Sequence, residues 1–297
     1  MRRTVTLLFA RAALLLTSLL AFTSAHAQFA TVDWTIAETL VAIGAPISGV
    51  AQQPDYYDWV GEPRIPASAT DLGLRAQPNF ELLAQLAPEQ ILISPMFASL
   101  TPRLERIAPV TSLALFSPGT DTWQEIQALT RELGELTERE AAAEAEAEAE
   151  ALIEDTQALM ASLRDAQPDT APLLMVQFMD ARHVRIFGDN SLYNAVLEQL
   201  GLANAWEEPT NAWGFALTGI EALAGYPDAR LVIIDPLPLG VEEQLTTSGL
   251  WQQLPIVKNA NLLRLPPVWS FGALPSAQRF ARVLTSALKE APAASLD

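Results

Sequence analysis

Cysteine is absent from the 297 residues. That excludes disulfides, thiol nucleophiles and thiolate-bound metals, and it leaves no cysteine to carry an N-terminal lipid. Histidine is nearly absent as well: His26 lies close to the amino terminus, and His183 is the only other. One histidine beyond the leader does not suffice for an ordinary zinc or copper centre. A hydrolase triad would need His183 beside an activated serine, yet no G-x-S-x-G elbow occurs. Neither a G-x-G-x-x-G nor a G-x-x-x-x-G-K-[ST] phosphate loop is present. The chain therefore reads as a protein without chemistry of its own, needing no cofactor, rather than as an enzyme. Basic residues are scarce too, 18 against 35 acidic ones. Such a surface repels nucleic acid and anionic lipid, so neither is expected as a partner.

Long apolar runs are missing except at the start. "MRR" is a basic opening, "AALLLTSLLAF" an apolar run too short to stay in a membrane, and "AHA" at 25–27 a small-x-small cleavage signal. Residues 1–27 are expected to be a signal peptide cut after Ala27, leaving an exported protein free in a periplasm without a lipid anchor. Three of the 18 basic residues fall in that leader, which leaves 15 against 35 and a net charge of −20 on the mature chain.

What is present is organised in three zones. Residues 28–135 alternate short apolar runs with helical patterns. "LTEREAAAEAEAEAEALIEDTQALMASLRDAQ" (136–167) contains neither Gly nor Pro, is rich in strong helix formers, and repeats apolar residues at helical spacing through Leu152, Ile153, Leu159, Met160 and Leu163. It is expected to be one long helix between two lobes. From 168 to 297 the alternation resumes and rhymes with the first zone: "ETLVAIGA" (38–45) with "AVLEQLGL" (195–202), each a helix ending in glycine, and "FELLAQLAPEQILISP" (80–95) with "IEALAGYPDARLVIIDP" (220–236). Continuous apolar strands such as "ILI" and "LVII" between helices predict mainly parallel sheets covered on both faces. The expected fold is α/β, two Rossmann-like lobes joined by the long helix, with a ligand cleft beyond the carboxyl ends of the strands.

Arg75 stands out in this acidic chain, placed in a short turn before a helix in "TDLGLRAQPNFELL" (70–83). It either pairs with a neighbouring carboxylate, Asp71 or Glu81, or faces the cleft. A guanidinium there offers a planar fork of donors that suits paired oxygens and keeps its charge. Trp59, Trp213 and Trp269 sit among Pro, Asn and Gly, where an indole not packed in the core would line a site. Glu81 and Glu221 take corresponding places early in the two related helices, where a carboxylate also complements the helix dipole. His183, in "MDARHVRIFG", reads as structural.

Taken in order, "YYDWVGEPRIP", "DLGLRAQPNFELL", "RIAPV", "FGDNSLYNAVLEQLGLANAW", "TNAWG" and "LPPVWSFGALPSA" resemble the periplasmic ferric-hydroxamate-binding proteins of Gram-negative bacteria, the ferrichrome binders of ABC iron-uptake transporters. The likeness runs through nearly the whole mature chain. It implies a two-lobe solute-binding fold with a helical backbone and a ligand in which iron(III) is wrapped by a hydroxamate siderophore. It also implies delivery to an inner-membrane ABC permease with its ATPase, by a protein expected to be a monomer. Arg75 matches the arginine that meets the hydroxamate oxygens. Trp59, Trp213 and Trp269 match cleft tryptophans, and Asn211 an asparagine beside them. Glu81 and Glu221 match the glutamates, one per lobe, that reach arginines on the permease. The chain departs from the pattern where Phe97 and Phe271 replace tyrosines and Ile93 a tryptophan. These departures make the cleft more apolar and leave open which hydroxamate it prefers: ferrichrome, a ferrioxamine, or a coprogen-like or aerobactin-like ligand. Haem or cobalamin is the alternative ligand, and a periplasmic siderophore-modifying enzyme the alternative class.

Overall fold

The structure, a computed structural model, describes residues 29–116, 119–137, 142–166, 168 and 170–290. The expected leader with its cleavage point, and residues 138–141 and 167 of the expected long helix, lie outside them. No helix among the described residues is long and apolar enough to cross a membrane.

The first lobe is built on five parallel strands in the order β3-β2-β1-β6-β7: β1 (Phe29–Thr31), β2 (Ile47–Val50), β3 (Thr70–Asp71), β6 (Gln90–Ile93) and β7 (Val110–Ser112). A separate small hairpin, β4 (Gly73–Leu74) with β5 (Gln77–Pro78), projects after β3. The second sheet has the order β10-β9-β8-β11-β12, from β8 (Leu173–Phe178), β9 (His183–Phe187), β10 (Phe215–Gly219), β11 (Arg230–Ile234) and β12 (Leu262–Leu265). Here the sheet is mixed: β8, β11 and β12 run parallel, whereas β9 is antiparallel to both β8 and β10. The cause is local. Only residues 179–182 join β8 to β9, a link long enough for a hairpin and too short for a parallel crossover. The carboxylate of Asp180 accepts from the Arg182 and His183 amides at 2.7 and 2.9 Å to close that turn.

The repeated pattern holds in outline. The Leu192–Leu200 helix ends on Gly201 in the left-handed region, φ 71°, as its sequence predicts. Its counterpart Trp34–Ala42 reaches Gly44 at φ 67°. The second of the paired motifs differs, however. Phe80–Leu86 is an α-helix, but Ile220–Gly225 winds as a 3₁₀ helix, a short segment flanked and ended by glycine.

The Ala142–Arg164 helix would span about 35 Å at 1.5 Å per residue. Its low-complexity start is packed, not merely solvated: Ala145 and Ala149 are buried while Glu144, Glu146, Ala147 and Glu148 are exposed. The buried stripe continues through Ile153, Thr156 and Met160. Alanine is what the partner helix Thr122–Leu136 allows, because a Cβ on its Gly134 would stand 3.0 Å from that of Ala149.

One hydrophobic core runs through both lobes. Leu40 and Ile126 of the first belong to the same cluster as Met175, Val232 and Phe280 of the second. Two smaller clusters cover the far faces of the two sheets. The C-terminal helix Leu274–Glu290 touches both Trp34–Ala42 and Ala142–Arg164, so the lobes meet through two helices and a shared interior.

Candidate functional site

The first sheet delivers its chain ends to one place. β1 runs out at Thr31, and Asp33 then caps the next helix by accepting from the Thr35 amide at 2.9 Å. The other oxygen of Asp33 accepts from the hydroxyl of Ser94, which follows β6, at 2.5 Å. The Thr31 hydroxyl donates to Leu92 O at 2.7 Å, tying the two strand ends together.

Over this floor reaches Arg75 from the tip of the β4–β5 hairpin. Asp71 is not its partner: that carboxylate accepts from the amides of Gln52 and Gly73 at 2.9 and 3.0 Å, shaping the base of the hairpin. Glu81 is exposed and makes no ion pair with Arg75. Instead Arg75 Nε donates to Val32 O at 3.0 Å, and the guanidinium carbon lies 4.2 Å from the Trp34 ring centroid, 5.0 Å from Phe97 and 5.4 Å from Trp269. Burial holds its pKa below the ordinary arginine value, and the nearby charge of Asp33 works against that shift. Among the described residues the terminal nitrogens have no acceptor. A guanidinium clamped against aromatic faces, each contact worth about 1–2 kcal/mol when desolvated, keeps its remaining donors in one orientation.

The second lobe supplies the opposite wall. Trp269 spends its indole N–H on the Thr35 hydroxyl at 3.0 Å, and that hydroxyl donates to Phe271 O at 2.7 Å, so the ring is locked edge-on to Trp34 at 5.1 Å. Phe271 stands at the centre of the wall, with Trp269, Trp213 and Phe215 of the same lobe and Phe116 of the first lobe between 5.2 and 6.4 Å from it. Arg75, Ser94, Met96, Trp213, Trp269 and Phe271 border a shallow depression of about 460 Å³, its open mouth included. It is an aromatic slot with one cation fixed on its floor.

Of the residues expected at the site, Arg75, Trp213, Trp269 and Phe271 border the depression, whereas Phe97 is buried in the core of the first lobe, its ring centroid 5.0 Å from the Arg75 guanidinium carbon. Trp59 does not border it: it ends the Gln53–Trp59 helix, half-buried against the core. Asn211 also stays outside. Its side-chain oxygen accepts from the Trp213 and Phe215 amides at 2.9 and 3.4 Å, so it shapes the loop that carries Trp213. Glu81 and Glu221 are both exposed in the first turn of their helices. His183 is exposed and paired with Asp180 at 2.8 Å. Trp34, Asp33 and Phe116 belong to the site but were not singled out. For the first two a signal existed, a strand followed at once by the N-cap pair "DW".

Comparison with known proteins assigns the chain to a family. A model of the family described as periplasmic binding protein matches residues 30–268. The chain belongs to the periplasmic binding protein family. This periplasmic binding protein is 35% identical over 256 residues to the iron(3+)-hydroxamate-binding protein FhuD of Escherichia coli (strain K12), covering 86% of this chain and 85% of that one. It superposes with a TM-score of 0.81 and 29% identity on the Fe3+–Desferal-bound siderophore binding protein FhuD from Vibrio cholerae, over 90% of this chain and 99% of that one. At 17% identity and a TM-score of 0.70, the triscatecholate siderophore binding protein FeuA from Bacillus subtilis shares the fold, over 90% and 94% of the two chains. By their names these relatives are binding proteins, the two FhuD proteins for an iron(3+) hydroxamate and for a siderophore.

Proposed function

We propose that the protein binds ferric hydroxamate siderophores in the aromatic cleft and, from the periplasm, delivers them to an inner-membrane ABC permease for iron uptake. The observation that carries the reading is Arg75: a guanidinium that, among the described residues, has no carboxylate partner, stacks on Trp34 and is bonded through Nε alone. Its side chain borders the aromatic slot. Paired oxygens on a metal complex are the acceptors that such a planar fork suits. The iron is cargo, held by the siderophore. No group of three or more His, Asp or Glu able to hold a metal occurs among the described residues. Among the described residues haem finds no tyrosine or histidine ligand at the cleft either. The Tyr56 and Tyr193 hydroxyls are spent on Pro63 O and Val268 O, and neither Tyr57, Tyr226 nor His183 borders the cleft.

Delivery is supported by the two exposed glutamates, Glu81 and Glu221, one on each lobe, which we assign to permease docking by a monomer with its leader removed. For the lobes we keep the boundaries expected from the sequence, 28–135 and 168–297, with 136–167 between them.

The test is quenching of tryptophan fluorescence by ferrichrome, ferrioxamine B, coprogen and aerobactin as ferric complexes, with ferric enterobactin and haem alongside. Saturable quenching by hydroxamates alone, weakened about 100-fold in Arg75→Ala by the loss of two charge-assisted hydrogen bonds, is the expected result. Equal affinity in Arg75→Ala, or preference for haem, would overturn it.

A further inference from the structure

Arg185 occupies the middle of β9, where alternation sends Val184 and Ile186 into the core on one face and Arg185 to the other. Its guanidinium carbon lies 4.7 Å from the Phe215 ring centroid and 5.8 Å from that of Phe271, the ring at the centre of the cleft wall. The side chain is half-buried, yet among the described residues it has neither an ion pair nor a hydrogen-bond acceptor. The other sheltered arginines of this lobe are satisfied: Arg230 donates to Asn261 at 2.6 Å, and Arg279 to Pro267 O at 2.9 Å with Glu62 3.5 Å away. Across the strand pair from Arg185 stands Gln177, 2% exposed, whose side-chain oxygen also has no partner. On the other side is Leu217, which is exposed.

We propose that Arg185 is a second cationic contact of the cleft, and that the preferred ligand is a ferric hydroxamate carrying a negative group, such as a carboxylate, on the part that meets the second lobe. The proposal rests on the hydroxamate reading above. Two physical points favour it. A guanidinium held half-buried without a counter-charge is under-solvated, and an anion from outside relieves that cost. Burial accordingly holds the Arg185 pKa below its ordinary value, opposed only by Tyr193. In a chain so acidic, Arg75 on the border of the slot and Arg185 behind its Phe271 wall together focus positive potential there and repel a cationic ligand. One arginine alone fits a neutral complex, whereas two bias the slot toward negative ones.

The experiment uses three ferric complexes with the same trihydroxamate core: ferrioxamine B, whose terminal ammonium is positive, its N-acetyl derivative, which is neutral, and its N-succinyl derivative, which ends in a carboxylate. Binding is measured by fluorescence quenching at low salt. Wild type should prefer the succinyl over the ammonium form by about tenfold or more. Arg185→Gln should abolish the preference while leaving the acetyl form within about twofold of wild type, and Arg185→Lys should retain its sign. Equal affinity of wild type for all three, or a uniform loss in Arg185→Gln, would overturn the assignment. Arg75→Ala should weaken all three alike. Failure of every complex to bind wild type would instead sink the hydroxamate reading itself.

Discussion

Glu38 joins the lobes in a way that makes their stability depend on pH. It sits on the Trp34–Ala42 helix, fully buried, with one oxygen accepting from the Ala273 amide at 2.6 Å and the other from the Ser276 hydroxyl at 2.5 Å, at the start of the Leu274–Glu290 helix. Burial pushes its pKa from 4.5 up to about 8, in spite of those two hydrogen bonds, and the charge of Asp33 adds to the rise. Because the folded value is raised, the folded state keeps a proton that the unfolded chain gives up. Stability is therefore full below pH 4.5 as far as this group is concerned, and is lost progressively as the pH rises toward 8. At ~1.4 kcal/mol per pH unit the loss by pH 7.5 comes to about 4 kcal/mol. Glu38→Gln keeps the shape and can satisfy both partners, accepting from Ala273 and donating to Ser276, without ionising. The two proteins should melt alike near pH 5 and diverge above it, with the variant higher by about 10 °C near pH 8, at ~2–4 °C per kcal/mol for a chain of this size. The assay is thermal unfolding by circular dichroism at half-unit pH steps. A difference between variant and wild type that does not change with pH would refute the reasoning, because it would mean that Glu38 is already ionised inside the fold.

Phe97→Tyr should tighten binding of a neutral ferric hydroxamate about 2- to 10-fold through one added hydrogen bond, since the ring lies 5.0 Å from the Arg75 guanidinium; unchanged affinity in a quenching titration would show that its edge points away from the ligand. Gly214 has φ 77°, and a Cβ there would stand 2.7 Å from Asn190 O and Ser191 Cα. Gly214→Ala should therefore cost about 1–3 kcal/mol, lower the melting temperature and weaken ligand binding by displacing Trp213; a variant that melts and binds like wild type would contradict this. Finally, the core shared between the lobes leaves little room for hinge closure, so solution scattering curves with and without a saturating ferric hydroxamate should superimpose, and clear compaction on binding would refute that expectation.

The lobes were legible because their signals are local. Apolar runs such as "LVII" between helical patterns read as strands covered on both faces, Gly201 reads as a helix end, and "EAEAEAEALIEDTQALM" has neither Gly nor Pro to break a helix. Arg75 was legible too, by its oddity in an acidic chain and by the motif around it. Trp59 and Asn211 show where such reasoning stops: a tryptophan in a polar loop and an asparagine beside one look alike in sequence whether they face a ligand, the core or their own backbone. Arg185 shows the opposite failure, since a charge in an alternating strand is ordinary until the tertiary structure denies it a partner.

By itself, then, the sequence determined most of the secondary elements, their lobe-by-lobe repetition in outline, the lack of any cysteine, and the family. Tertiary structure alone decided which aromatic rings share a wall, that Asp71 is spent on a hairpin and leaves Arg75 free, and that Glu38 ties one lobe to a helix of the other. The physical reason is range. Helix, strand and turn propensities act over a few residues, whereas pairing, burial and desolvation depend on groups that lie far apart in the chain, as Thr35 and Trp269 do, and meet only when it is folded.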